Sequence, residues 1–184
     1  MNCSTTWLWQ TCRLIANTTR LKLLQEIDKN PEQCVSALAV QVDRTPAAVS
    51  TQLRMICDAG LIEDHRQGQQ VFYRLRKDRD YPYILNLNNA LLESFLDNTP
   101  YQDIMRQATG CTHWRRIELL QLLTKQSMPI EDMEKETVMA PSALLRHINK
   151  LESRGYVVSQ EKQYNIGQPS GQIANALLKI IKSP

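Results

Sequence analysis

The chain contains itself twice. Arg20-Leu21-Lys22-Leu23-Leu24-Gln25 returns 96 positions later as Arg116-Ile117-Glu118-Leu119-Leu120-Gln121, and Pro46-Ala47-Ala48-Val49 returns 95 positions later as Pro141-Ser142-Ala143-Leu144. Leu53, Ile56 and Gly60-Leu61-Ile62 then fall opposite Ile148, Leu151 and Gly155-Tyr156-Val157. A one-residue change of offset over such a stretch is a single small deletion. The chain therefore divides into two like domains of about 90 residues, 1–99 and 100–184, each able to bury only a modest core.

Composition removes several classes. Hydrophobic residues at 42% and charged residues at 22%, with six glycines and no low-complexity tract, exclude extended disorder. No window approaches the run of about 18 to 20 apolar residues that a membrane span needs, and Met1-Asn2-Cys3-Ser4-Thr5-Thr6 lacks the basic start of a signal peptide. The expectation is a cytoplasmic protein with no membrane partner. Five cysteines, odd in number and without Cys-x-x-Cys spacing, fit free thiols in a reducing compartment. The net charge of +3 permits nucleic-acid binding without demanding it. Residues 1–99 hold 11 basic and 11 acidic side chains against 11 and 8 in the rest, so a DNA-binding first half must rely on local placement of charge.

Periodicity predicts a helix from about Thr5 to Ala16, and a second from Arg20 to Asp28 capped by Thr18 or Thr19. Asn30-Pro31 stops the latter, and a third helix follows from Gln33 to Val42. Thr45 supplies an N-cap oxygen and Pro46 suits the first turn of a fourth helix running to about Ala59, with Val49, Leu53 and Ile56 as its buried stripe. Gly60 sits where a left-handed helix end is wanted. The period then changes to that of strands at 61–65 and 70–75, joined by a polar turn at Arg66-Gln67-Gly68-Gln69. A helix opened by Asp80 and Pro82 carries Ile84, Leu87, Leu91, Leu92 and Phe95 on one face. The second half repeats this order with a shorter hairpin, and ends in a helix after Pro169 bearing Ile173, Ala176, Leu177, Ile180 and Ile181.

A short helix, a tight turn, a capped helix and a hairpin make the helix-turn-helix plan with a wing. The fold class expected is mainly α with small β-hairpin wings, in two tandem winged helix-turn-helix domains. The residues from Ile15 to Leu24, Cys34-Val35-Ser36-Ala37-Leu38, Val49-Ser50-Thr51-Gln52-Leu53, Asp58-Ala59-Gly60-Leu61-Ile62 and the run from Gly68 to Leu75 resemble the ArsR (arsenic-repressor-like) family of bacterial and archaeal winged-helix regulators. The resemblance covers residues 12–76 and is much weaker from 100 onward.

The resemblance implies a repressor of transcription that binds double-stranded DNA as a homodimer, nucleoid-associated when bound. Pairing of the two copies as a pseudo-dimer within one chain is the competing assembly. It places Thr45, Ala47, Ser50, Thr51 and Gln52 at the groove-facing start of the helix from Thr45 to Ala59, and Arg54 on phosphate. In the wing, His65 to Gln70, the contacts with backbone or minor groove fall to His65, Arg66 and Gln67. Metal-sensing relatives carry Cys-Val-Cys where this chain has Cys34-Val35-Ser36, and a hydroxyl is a poor ligand for a soft ion. The helix from Pro82 to Leu96 has no histidine. No metal and no cofactor is expected, and Cys111-Thr112-His113 reads as a helix start. Cys34 with Cys12 or Cys57 is the candidate thiol sensor. A winged helix that binds protein or RNA is the alternative to a DNA reader. Six glycines without a phosphate cradle, and His65, His113 and His147 without partnered motifs, give no outline of an enzyme.

In the second copy Ser50, Thr51 and Gln52 become Leu145, Arg146 and His147, and Ala140 replaces the capping Thr45. That copy is expected to keep the scaffold and serve as a dimerisation or effector platform.

Overall fold

The computed structural model describes residues 3–183; Met1, Asn2 and Pro184, and the side chains of Cys3 and Ser4, lie outside the described residues. In chain order the elements are α1 (Cys3–Ile15), α2 (Thr18–Lys29), β1 (Gln33–Cys34), α3 (Val35–Gln41), α4 (Pro46–Asp58), β2 (Ile62–Gln67), β3 (Gln70–Leu75) and α5 (Pro82–Leu96). They continue with α6 (Tyr101–Ala108), α7 (Trp114–Leu123), α8 (Ile130–Thr137), α9 (Pro141–Glu152), β4 (Val157–Gln160), β5 (Gln163–Ile166) and α10 (Gln172–Lys182). The protein is mainly α-helical with two antiparallel hairpin wings, a tandem of winged helix-turn-helix domains.

The two compact units are not the two halves of the sequence. The first unit is Leu14–Met105, and the second joins Met1–Arg13 to Arg106–Pro184. The boundary expected at 99/100 therefore moves, and the leading helix is counted with the distant copy. The cause lies in side chains: Cys12 is fully buried beside Cys111, and Gln121 Nε2 donates to Thr5 Oγ1 at 3.4 Å.

In the first unit α2, α3 and α4 bury Leu21, Leu24, Ile27, Leu38, Val49, Leu53 and Ile56, all within 1% of complete burial. The N-cap of α2 is Asn17, whose Oδ1 accepts from Arg20 N–H at 3.1 Å, rather than either threonine. Gln33 and Cys34, expected in a helix, instead pair with Tyr73 and Phe72, so the sheet has three strands in the order β1-β3-β2. Arg66 and Gln67, expected in the turn, continue β2 and pair with Val71 and Gln70. Gly68 at φ +63° makes this possible, because a two-residue hairpin turn needs a positive φ. Thr45 Oγ1 accepts from Ala48 N–H at 3.3 Å and caps α4. Thr45→Ala is expected to cost about 1 kcal/mol in chemical denaturation, with Thr45→Asn close to neutral, since asparagine caps as well.

The second unit repeats these devices bond for bond. After α4, Gly60 N–H donates to Cys57 O and Leu61 N–H to Ile56 O; after α9, Gly155 N–H donates to Glu152 O and Tyr156 N–H to Leu151 O. Both glycines are left-handed, at φ +78° and +76°. The helix-turn-helix turn holds a left-handed residue in each copy, Asp43 at φ +52° and Val138 at φ +51°. Aspartate tolerates that conformation; a β-branched valine is strained by it. The third strand shrinks to a single bridge, Met128 to Tyr164, and the second wing turns on Glu161 and Lys162, both at positive φ without a glycine.

On α5 Leu87, Leu91 and Phe95 are buried, and on α10 so are Ile173, Leu177, Ile180 and Ile181. The helix α5 also buries Asn88, whose Nδ2 donates to Leu61 O and Arg76 O, each at 2.8 Å. No helix is long and apolar enough to cross a membrane among the described residues.

Candidate nucleic-acid interface

The α4 stripe of Val49, Leu53 and Ile56 faces the core, and helical spacing turns Thr45, Ala47, Ser50, Thr51 and Arg54 outward, all exposed. The first turn of the helix thus presents small side chains over which another surface can approach closely. Their polar atoms are not equally available. The Thr45 hydroxyl caps the helix, and the Thr51 hydroxyl donates to Ala47 O at 3.1 Å. Among the described residues Ser50 and Arg54 have no side-chain partner.

Gln52 departs from the groove-facing role expected of it. It is half-buried, and its Oε1 accepts from Arg20 Nη1 at 2.9 Å. Arg20 in turn donates from Nε to Leu14 O, so one guanidinium ties the start of α2 to α4. Arg20 and Arg44, with Asn17, Thr19, Ala48 and Gln52, line a notch of about 170 Å³ beside the outward face of α4. These two arginines were not among the residues picked from the sequence. One signal was available: Arg20 heads the internal repeat.

In the wing, Arg66 and Gln67 are exposed at the tip of β2. His65 is held differently: Nε2 lies 2.8 Å from Glu32 Oε2, and the ring stacks on Phe72 with centroids 5.6 Å apart. It braces the wing against the segment before β1. Arg74 is paired with Glu63 at 2.7 Å.

The thiols expected to cooperate have separate surroundings. Cys34 Sγ lies 3.1 Å from Ser36 Oγ, and that hydrogen bond lowers its pKa. Burial raises Cys57 to about 11. Cys12 belongs to the second unit, where burial and the Cys111 thiol push it well up. Of the three only Cys34 has its pKa lowered, and its neighbour is a hydroxyl. Among the described residues no three His, Cys, Asp or Glu side chains gather into a metal-ligand group.

In the second unit α9 is capped by no side chain, Leu145 is 44% exposed and Arg146 is exposed. His147, the counterpart of Gln52, is buried against His113 with ring centroids 4.7 Å apart. His113 is the N-cap of α7: its Nδ1 accepts from Arg115 N–H at 3.1 Å, as Asn17 caps α2.

Two recurring regulator architectures, the helix-turn-helix and its wing, are therefore present in each copy, and comparison with known proteins agrees. Residues 114–159 match the family described as "Bacterial regulatory protein, arsR family", and residues 15–79 match the family described as HVO_A0114. The chain is 32% identical over 66 residues to the Arsenical resistance operon repressor of Escherichia coli, covering 36% of this chain and 56% of that protein. The chain is thus similar to winged-helix regulators of the arsR family. It is 28% identical over 85 residues to the Arsenic resistance transcriptional regulator ArsR1 of Pseudomonas putida, covering 46% of this chain and 62% of that protein. The ArsR-like chain thus spans little more than half the length of these relatives. The arsR family match falls on the second copy, where the sequence resemblance was expected to be weaker. What both copies share is scaffold: the arginine-led helix, the turn proline and the glycine after the second helix.

Proposed function

We propose that this protein is a sequence-specific DNA-binding regulator of transcription, a repressor, in which the first unit reads DNA. The observation that carries the reading is the outward face of α4, where small exposed side chains stand beside a wing with an exposed arginine at its tip. An α-helix fits the major groove, and small polar residues in its first turn let the backbone approach base edges. Ser50 and Thr51 are the base-reading residues, with Ala47 against a thymine methyl. Thr45 orients the helix end on the backbone. Arg54 and Arg66 contact phosphate, and Gln67 the sugar-phosphate edge. Gln52 and His65 act by fixing Arg20 and the wing rather than by reading bases.

Selection of bound duplexes from a random pool, followed by variant binding, tests this. Ser50→Ala with Thr51→Ala is expected to lose at least tenfold in preference for the selected site, since each base contact is worth about 1–3 kcal/mol. Arg54→Ala is expected to weaken all sequences alike and to flatten the salt dependence by about one ion. Unchanged site preference in the double variant refutes the assignment. Binding of single-stranded RNA in place of duplex would favour the alternative winged-helix role.

A further inference from the structure

The arginine that heads each repeat makes the same bond twice. Arg20 Nε donates to Leu14 O, and 96 residues on, Arg116 Nε donates to Gly110 O at 2.7 Å. The rest of the guanidinium is treated differently in the two copies. In the first, Nη1 is satisfied by the Gln52 amide, and the notch above it is about 170 Å³. In the second, His147 stands at the Gln52 position and packs against His113 instead, the rings tilted by 43°, while Arg116 Nη2 donates to Thr109 O and Thr112 Oγ1. Among the described residues Arg116 Nη1 has no partner. The notch has opened into a cleft of about 510 Å³ lined by His113, Arg116, Arg146, His147 and Lys150, with Asn149 and Ser153 at its edge.

No carboxylate lines this cleft. Glu118, which α7 also carries, is taken up by Arg115 at 2.9 Å. The gathered cations hold down one another's charge: burial first, then each other and the arginines around them, lower His113 and bring His147 to about 4. Burial, with Arg154 and Arg116, lowers Lys150 as well. His147 is only 8% exposed, and its Nδ1 is sealed without a hydrogen-bond partner. A solvated helix face has no reason to bury an imidazole with an empty nitrogen beside three cations.

We infer that this cleft of the second unit is a binding site for a phosphate-type oxyanion, held by Arg116, Arg146 and Lys150 with His147 at its floor. A phosphate monoester carries nearly two negative charges and enough acceptor oxygens for several cations at once. Arginine forks match that geometry, and lysine adds a point charge. A carboxylate, with one charge, would leave most of the cluster unneutralised. The phosphate could be free or part of a DNA backbone; the chemistry is common to both.

The test uses the full chain labelled with nitrogen-15 and titrated with inorganic phosphate, against chloride at equal ionic strength. Saturable shifts at His147 and Arg116 are expected, and Arg146→Ala with Lys150→Ala should weaken binding at least tenfold. His147→Gln, which offers Arg116 the amide that Gln52 offers Arg20, should also weaken binding tenfold while leaving the melting temperature unchanged. A second titration with a short duplex separates the sources. Variant-sensitive binding of inorganic phosphate identifies a free-anion site. Variant sensitivity seen with duplex alone, with the salt slope reduced by about two ions, identifies a backbone phosphate. Phosphate shifts no larger than those of chloride, or insensitive to the variants, together with an unchanged duplex salt slope, overturn the proposal. The inorganic phosphate arm does not involve α4, so a failed operator test leaves it intact.

Discussion

Asn88→Asp is expected to destabilise the first unit by about 4 kcal/mol at neutral pH, enough to unfold much of a domain of marginal stability. The native amide donates from Nδ2 to Leu61 O and Arg76 O, the two carbonyls at the base of the wing. Arg76 N–H also donates to Leu61 O at 3.0 Å, so one residue of α5 fastens both ends of the hairpin. An ionised carboxylate offers no donor and would set its charge against two carbonyl oxygens at a residue 1% exposed. Asn88→Ala, which leaves Arg76 O unpaired and Leu61 O with the Arg76 N–H alone, should cost about 2–3 kcal/mol. Denaturant midpoints rank the three proteins, and hydrogen exchange should show protection lost first in β2 and β3. A midpoint for Asn88→Asp within error of the parent would refute the clamp.

The second large effect is expected at Gly110. A Cβ there would lie 2.3 and 2.6 Å from two carbons of the Tyr156 ring, which is fully buried and anchored by its hydroxyl donating to Gln107 O at 3.0 Å. The ring has no room to yield, so Gly110→Ala should cost about 3 kcal/mol. Gly110 O is also the acceptor for Arg116 Nε. A shifted backbone at 110 would therefore loosen the arginine at the cleft as well as the core. The check is a double-mutant cycle with Tyr156→Leu: removing the ring should make Gly110→Ala nearly silent, whereas simple additivity would show that the clash is not the cause.

Much of the fold is legible in the sequence. The buried stripes of α4 and α9, the Thr45 cap and the left-handed Gly60 and Gly155 follow from spacing and from what one residue type can do. Local rules failed where a distant strand or side chain competed. Gln33 and Cys34 satisfy helical spacing as well as a strand, and the open edge of β3 settles the matter. Asn17 takes the cap of α2 from two threonines because its side chain meets Arg20 N–H. The outward face of α4 could be named in advance. The inward turn of Gln52 to Arg20 and the bracing of His65 by Glu32 could not, because each depends on a partner far along the chain.

The sequence by itself determined that there are two copies of one scaffold, since apolar periodicity, turn residues and caps are local properties and repeat with the residues that encode them. The tertiary structure decided how those copies are divided and what each does with its arginine. It assigned α1 up to Arg13 to the second unit, through Cys12 and Thr5, and it set Gln52 on Arg20 while leaving His147 packed against His113 over an open basic cleft. The reason is physical: burial and hydrogen-bond partnership are settled between residues tens of positions apart, and no periodicity records them.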